Sequence, residues 1–292
     1  MKKKALRIIF YGGYGDALLY TPAFKALKEE APDRKIIIYC VIKGQEQVFK
    51  NNPSVDEVRG VSFIKNPIAF MGYYLKWMPF LFYHYGEYCP TLFYDKNAKE
   101  IIADLYGVKL KDDKVQFFLT KKEDRTAKEY MAQFKDPILI HVTSRASPNQ
   151  HWEHDNWNRL VEEMPEYTFL QLGLEDEKKV EKAVDLRGQL SFRETLGILK
   201  YSKSFVGVNS SFAHATNAFD LPGVVVFGPA QPAIWGQSNN INIFKSVRCS
   251  PCLEILRASP CPYNRLCMKQ ITVAEVKEAL LKQLKTRSLS LS

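Results

Sequence analysis

Arg7-Ile8-Ile9-Phe10-Tyr11 is a short β-branched and aromatic run that stops at Gly12-Gly13, and from Ala17 to Glu29 apolar residues recur at helical spacing. Pro32-Asp33 ends that helix. Lys35-Ile36-Ile37-Ile38-Tyr39-Cys40-Val41 then follows without polar alternation, as a strand covered on both faces requires. Strand, glycine loop, helix and strand make a βαβ unit, which commits the chain to an α/β architecture because parallel strands need a crossover helix on the sheet's face.

The same rhythm returns in the second half. Ile138 to Val142, Thr168 to Leu172, Ser204 to Val208 and Gly223 to Phe227 read as buried strands, with helices over Trp157 to Met164, Ser191 to Tyr201 and Ser211 to Phe219. Val273 to Lys285 is a last amphipathic helix, and Thr286 to Ser292 reads as a frayed tail. Between the halves, Lys99 to Tyr106 is helical and ends at Gly107, and the polar, charged stretch from Lys109 to Asp136 is the natural boundary. The 292 residues fit two α/β domains, expected over 1–130 and 131–292. Val61 to Asp95 is crowded with aromatic residues and shows no periodicity that assigns it.

An apolar share of 46% with 25% charged residues excludes a disordered or fibrous chain. Lys and Arg number 41 against 32 Asp plus Glu, and the net +9 suits phosphates, anionic lipid surfaces or nucleic acid. Nucleic acid is disfavoured, since the basic residues are scattered and no zinc-finger or helix-turn-helix pattern is present. The apolar run Ile8-Ile9-Phe10 after Met1-Lys2-Lys3-Lys4 is too short for a signal peptide, and Lys76, Pro79 and His84 interrupt the stretch from Ile68 to Tyr85. A cytoplasmic protein without a transmembrane helix is expected.

In doubly wound sheets ligands bind beyond the carboxyl ends of the strands. The first such loop, Gly12-Gly13-Tyr14-Gly15-Asp16, lacks a full dinucleotide fingerprint. Its Asp16 reads equally as a helix cap or as a base that takes a proton from an attacking hydroxyl. The second loop, from His141 to Trp152, holds Thr143, Ser144, Arg145 and His151, which suit diphosphate oxygens; the plainer reading is a polar loop with Trp152 and Trp157 as core anchors. In the third, Asn209, Ser210 and Ser211 stand at a helix start, with His214 one turn inside as a ligand contact or a hydrogen-bonded core residue. Cys249, Cys252, Cys261 and Cys267 are spaced C-x2-C-x8-C-x5-C, compatible with a structural zinc or iron, with packed free thiols, or with one local disulfide.

Together these segments resemble glycosyltransferase family 9, the bacterial heptosyltransferase family. Gly15-Asp16-Ala17-Leu18-Leu19-Tyr20-Thr21-Pro22, running on to Leu27-Lys28, is similar to the family's opening signature. Asp185-Leu186-Arg187-Gly188, Val206 to His214, Phe227 to Gly236 and the closing Cys-x-Pro-Cys with Cys-Pro-Tyr-Asn-x-x-Cys-Met resemble its later motifs, in the right order. The resemblance implies a GT-B fold, two Rossmann-like domains with parallel sheets facing across a cleft. It implies an inverting transfer with Asp16 as base and no cofactor or metal in catalysis. The leaving diphosphate would be held by Thr143, Ser144, Arg145, the Ser210 and Ser211 amides and His214.

The implied partners are an ADP-heptose-type donor and a glycolipid or glycan acceptor, lipopolysaccharide core being the leading one, met at the inner face of the membrane. Tyr14, Tyr73, Tyr74 and Trp77 are the candidate acceptor contacts. A protein acceptor, or a noncatalytic nucleotide-sugar binder, are the alternatives. The chain departs from the family pattern at Gln150, where many members carry Lys, at Asn209, where Asp is common, and in the aromatic segment.

Overall fold

The computed structural model describes residues 5–10, 12–60, 80–82, 96–252 and 260–290; for 80–82 and 287–290 it describes the backbone alone. Two compact units emerge, Met1–Pro90 with Ala98–Thr120, and Thr91–Asn97 with Lys121–Ser292. Tyr73, Tyr74 and Trp77 lie outside the described residues.

In the first unit the described strands are β1 (Leu6–Phe10), β2 (Ile36–Cys40), β3 (Glu57–Gly60) and β4 (Phe80–Phe82). They form a parallel sheet in the order β3-β2-β1-β4. Helix α1 (Tyr14–Glu30) leaves the end of β1, and the short α2 (Glu46–Phe49) and α3 (Ala98–Leu105) complete the described helices of this unit. Phe10, Tyr20, Phe24 and Phe49 are fully buried and meet edge-on or tilted, with Tyr106 beside Tyr20 and Phe24. Burial of such rings dominates the energetics of a core this size.

Pro22 stands inside α1 and cannot donate to the carbonyl of Leu18 one turn back. Thr21 replaces that bond: its hydroxyl donates to the Leu18 oxygen at 2.6 Å and accepts the Gln116 amide at 2.8 Å. The Thr-Pro pair therefore ties α1 to the segment around Gln116 while giving the Leu18 carbonyl and the Gln116 backbone amide a partner.

In the second unit β5 (Pro137–His141), β6 (Thr168–Gln171), β7 (Val184–Asp185), β8 (Ser204–Val208), β9 (Gly223–Phe227) and β10 (Asn240–Phe244) form a parallel sheet in the order β10-β9-β8-β5-β6-β7. This is the doubly wound Rossmann order, and it places the reversal of winding between β5 and β8. The helices are α4 (Lys121–Met131), α5 (His154–Glu162), α6 (Phe192–Lys200), α7 (Ser211–Ala215), α8 (Pro232–Trp235), α9 (Leu266–Lys269) and α10 (Val273–Ser290). The core joins Ile138, Ile140, Val206, Val224 and Val226 from the sheet to Trp157, Leu160, Val276 and Leu280 from α5 and α10.

Several elements differ from the sequence reading. The charged segment at 121–131 is helical and belongs to the second unit, because Glu123 pairs with the buried Arg193 at 2.6 Å and Asp124 with Lys200 at 2.6 Å, both on α6. The helix expected over Ser211 to Phe219 is α7 followed by a 3₁₀ turn at Thr216–Phe219. The tail expected to fray from Thr286 continues as helix to Ser290. Among the described residues no helix is long and apolar enough to cross a membrane.

Candidate active site

The winding reversal puts the loop after β5 beside the loop after β8, and the named hydroxyls and amides of the second unit gather there. His141 is the last residue of β5 and is buried. Its Nδ1 lies 3.0 Å from the Ser210 hydroxyl, just past β8, and the Phe212 ring meets it edge-on at 4.8 Å. Its Nε2 lies 3.9 Å from the carboxylate of Glu177, whose side chain is 8% exposed and whose Oε2 has no hydrogen-bond partner. That carboxylate folds over Gly173, which holds φ +137° and has no room for a Cβ. Burial drives the His141 pKa down to about 4, with Glu177 opposing and His151 adding to the shift, so the imidazole is neutral at physiological pH.

Above this pair runs a chain of amides. Gln150 donates to the Ser144 hydroxyl at 3.0 Å, and Asn209 donates to the Gln150 side-chain oxygen at 3.4 Å. The two positions that depart from the family pattern thus touch each other, and two neutral amides stand where a cation and an anion were the expected types. Thr143 Oγ1 and Asn209 Oδ1 are buried without partners, acceptor atoms that a ligand's donors could satisfy. His151 points its Nε2 at the Ser144 carbonyl at 3.1 Å, and burial lowers its pKa.

Arg145 is 68% exposed and pairs with the equally exposed Asp176, away from this buried chain. Ser211 opens α7 and is half-buried. His214 is buried, and its Nδ1 accepts from the Gln237 side-chain amide at 3.0 Å. Trp152 and Trp157 are buried and meet edge-on at 4.7 Å, with Trp152 Nε1 donating to Ile271; both are core anchors.

In the first unit Asp16 occupies the first turn of α1 and accepts the Gly13 amide at 2.6 Å, the cap arrangement. Gly12 is wedged against this carboxylate, so a Cβ there would collide with it. Tyr14, the first residue of α1, sets its phenol against Gly44, and burial and then Glu46 raise its pKa.

Cys249, Cys252, Cys261 and Cys267 are free thiols close enough to influence one another's ionisation. Burial first, and the neighbouring thiols next, push Cys252 up to about 12. No three of them, nor any other three His, Cys, Asp or Glu side chains among the described residues, are arranged to hold an ion. Their segment braces the site: Asn149 accepts the Cys261 amide, Arg265 donates to the His151 carbonyl, Ser250 donates to the Gly228 carbonyl and Cys252 to that of Pro229.

Residues 96–261, more than half of the chain, match the model of glycosyltransferase family 9 (heptosyltransferase). The chain belongs to glycosyltransferase family 9. A curated relative, lipopolysaccharide heptosyltransferase 1 of Salmonella typhimurium, is 25% identical over 174 residues, 51% of this chain and 53% of that protein. The chain thus spans about half the length of this curated relative in the match. A family 9 glycosyl transferase from Veillonella parvula has the same fold over 98% of both chains, with a TM-score of 0.75 and 16% identity. The iron-containing dodecameric glycosyltransferase TibC from enterotoxigenic E. coli, also solved in complex with ADP-D-beta-D-heptose, matches 98% of this chain and 78% of its own at a TM-score of 0.70 and 15% identity. At such identities the likeness carries the fold, two Rossmann-like units of the GT-B type.

Sequence reasoning missed His141 and Glu177 as site residues. His141 could have been found as a titratable group ending a buried strand at the winding reversal. Glu177 sits in the run Glu175-Asp176-Glu177-Lys178-Lys179, which reads as solvated surface.

Proposed function

We propose that this family 9 chain is an inverting glycosyltransferase, with ADP-heptose as donor and a lipopolysaccharide core or related surface glycan as acceptor. The observation that carries the reading is the set of polar groups at the β5–β8 reversal, where a Rossmann sheet receives a nucleotide. The family match and the heptosyltransferase names of the relatives support the sugar and the donor. The second unit holds the donor through Thr143, Ser144, Arg145, His151, Asn209, Ser210, Ser211 and His214.

Asp16 takes the proton of the acceptor hydroxyl as its oxygen bonds to the anomeric carbon and the bond to the diphosphate breaks, releasing ADP. The Gly13 amide would hold the carboxylate in place for this transfer. No metal enters the chemistry. Tyr14, with Tyr73, Tyr74 and Trp77, serves the acceptor, and contact with the inner face of the membrane brings a lipid-linked acceptor within reach.

Thermal shift with a panel of nucleotide sugars identifies the donor, since a ligand of the folded state alone raises Tm. Transfer is then assayed with Asp16→Asn. The expected result is a loss of roughly a hundredfold or more in kcat with donor affinity retained, the scale of losing a general base. Unchanged turnover removes Asp16 as base, and tight donor binding without transfer to any glycan makes the chain a binding protein.

The four cysteines are proposed as a structural zinc or iron site. Four thiols suit either ion and TibC is described as iron-containing, although no three of the thiols converge in the structure, so binding an ion requires them to draw together. Metal analysis of protein purified without chelator should return about one ion per chain; none would leave four packed thiols.

A further inference from the structure

His141, Glu177 and Ser210 form a chain of contacts whose protons can be placed by elimination. A neutral imidazole carries one N–H and one bare nitrogen. Nε2 faces the Glu177 carboxylate at 3.9 Å, too far for a hydrogen bond but close enough that a lone pair there would oppose the anion and an N–H would be attracted to it. The proton therefore belongs on Nε2. Nδ1 is then the acceptor, and among the described residues the group offered to it is the Ser210 hydroxyl at 3.0 Å, which must spend its single proton on the ring.

We infer that His141, oriented by Glu177, holds Ser210 as an acceptor-only oxygen, so that this position of the site receives a ligand hydroxyl and not an oxygen of the diphosphate. An anionic oxygen set against Ser210 Oγ would meet lone pairs alone. A sugar hydroxyl meets an acceptor made stronger by its own donation to the ring. The burial that keeps His141 neutral supports the scheme, for an imidazolium would donate from both nitrogens and free the serine proton. Around the ring stand Glu177 beyond β6, His151 on the loop after β5, and Ser210 with Phe212 beyond β8. The inference rests on the proposed function for its ligand, a nucleotide sugar. It refines that reading by giving the Ser210 side chain a ligand hydroxyl, apart from the Ser210 backbone amide expected at the diphosphate.

Two measurements test it. Protein labelled with ¹⁵N-histidine has only five rings to assign, and two-bond couplings report which nitrogen of each is protonated. His141 is expected to be neutral at pH 7 with its proton on Nε2; a proton on Nδ1, or an imidazolium, overturns the inference whatever the enzyme binds. Ser210→Ala is then titrated with inorganic diphosphate and with the nucleotide sugar that stabilises the wild type. Losing one hydrogen bond to a ligand hydroxyl should weaken the nucleotide sugar roughly fivefold to tenfold and leave inorganic diphosphate within about twofold.

Equal losses for both ligands would show that Ser210 donates to phosphate and would overturn the assignment. Loss of the nucleotide sugar alone, in titrations with ADP and with 2′-deoxy-ADP, also locates the hydroxyl: an unchanged response to ADP assigns it to the transferred sugar, and a response lost with 2′-deoxy-ADP assigns it to the ribose. If neither diphosphate nor any nucleotide sugar binds wild type, the proposed function and the ligand half of the inference fail together, while the ring's proton still decides the rest.

Discussion

Gln150 and Asn209 are each other's partners, and this makes their two departures from the family pattern a single change in the charge of a part-buried pair. Gln150 is 3% exposed and its hydrogen-bond partners, Ser144 and Asn209, are neutral, so a lone cation placed there loses water without a bonded anion to offset it. Gln150→Lys alone should cost about 3–5 kcal/mol of unfolding free energy, the range seen when a buried charge loses its partner. Adding Asn209→Asp should recover a large part, read as a coupling energy above about 1 kcal/mol in urea titrations of all four variants. Additive costs would mean that the two side chains do not interact in solution. Ser144 and Ser210 were legible in the sequence as hydroxyls after buried strands. The pairing of Ser210 with His141 across 69 positions was not, nor that of Gln150 with Asn209 across 59, since both depend on strand order, which no local pattern encodes.

Helix α1 shows why Thr precedes Pro22. Thr21→Val keeps the shape but strips the Leu18 carbonyl and the Gln116 amide of their partners. The expected loss is about 2–3 kcal/mol, as for buried polar groups left bare, and Thr21→Ser should lose less. A cost for Thr21→Val below about half a kilocalorie would refute this account of the motif. Elements packed by apolar residues were readable from their spacing, as β1, β2, β5, β8 and β9 were. Those packed by polar chemistry were not: α4 buries only Ala127 and Met131 and is held by ion pairs to α6. Edge strand β10, Asn240-Ile241-Asn242-Ile243-Phe244, uses Asn240 to bond the Ala213 carbonyl at 3.2 Å, so two of its five residues look like loop.

Across the whole molecule, acid should weaken the second unit before the carboxylates titrate. The unfolded chain protonates a histidine near 6.5, whereas burial holds His141 to about 4 in the folded one. Between those values the unfolded state binds more protons, so stability is full above pH 6.5 and is lost as pH falls toward 4. His151 and His154 shift in the same direction, each mainly through burial. Urea unfolding followed by fluorescence reports this unit well, because three of the four tryptophans, Trp152, Trp157 and Trp235, lie in it. The midpoint should fall from pH 7 to pH 5 in wild type and fall less in His141→Asn; parallel profiles would place the pH dependence elsewhere. The ties from Asn149, His151 and Trp152 run to Cys261, Arg265 and Ile271, 112 to 119 positions later. On the ribosome, the loop after β5 is therefore made long before the residues that shape it, and a nascent chain stays without its finished form until Ile271 has been added.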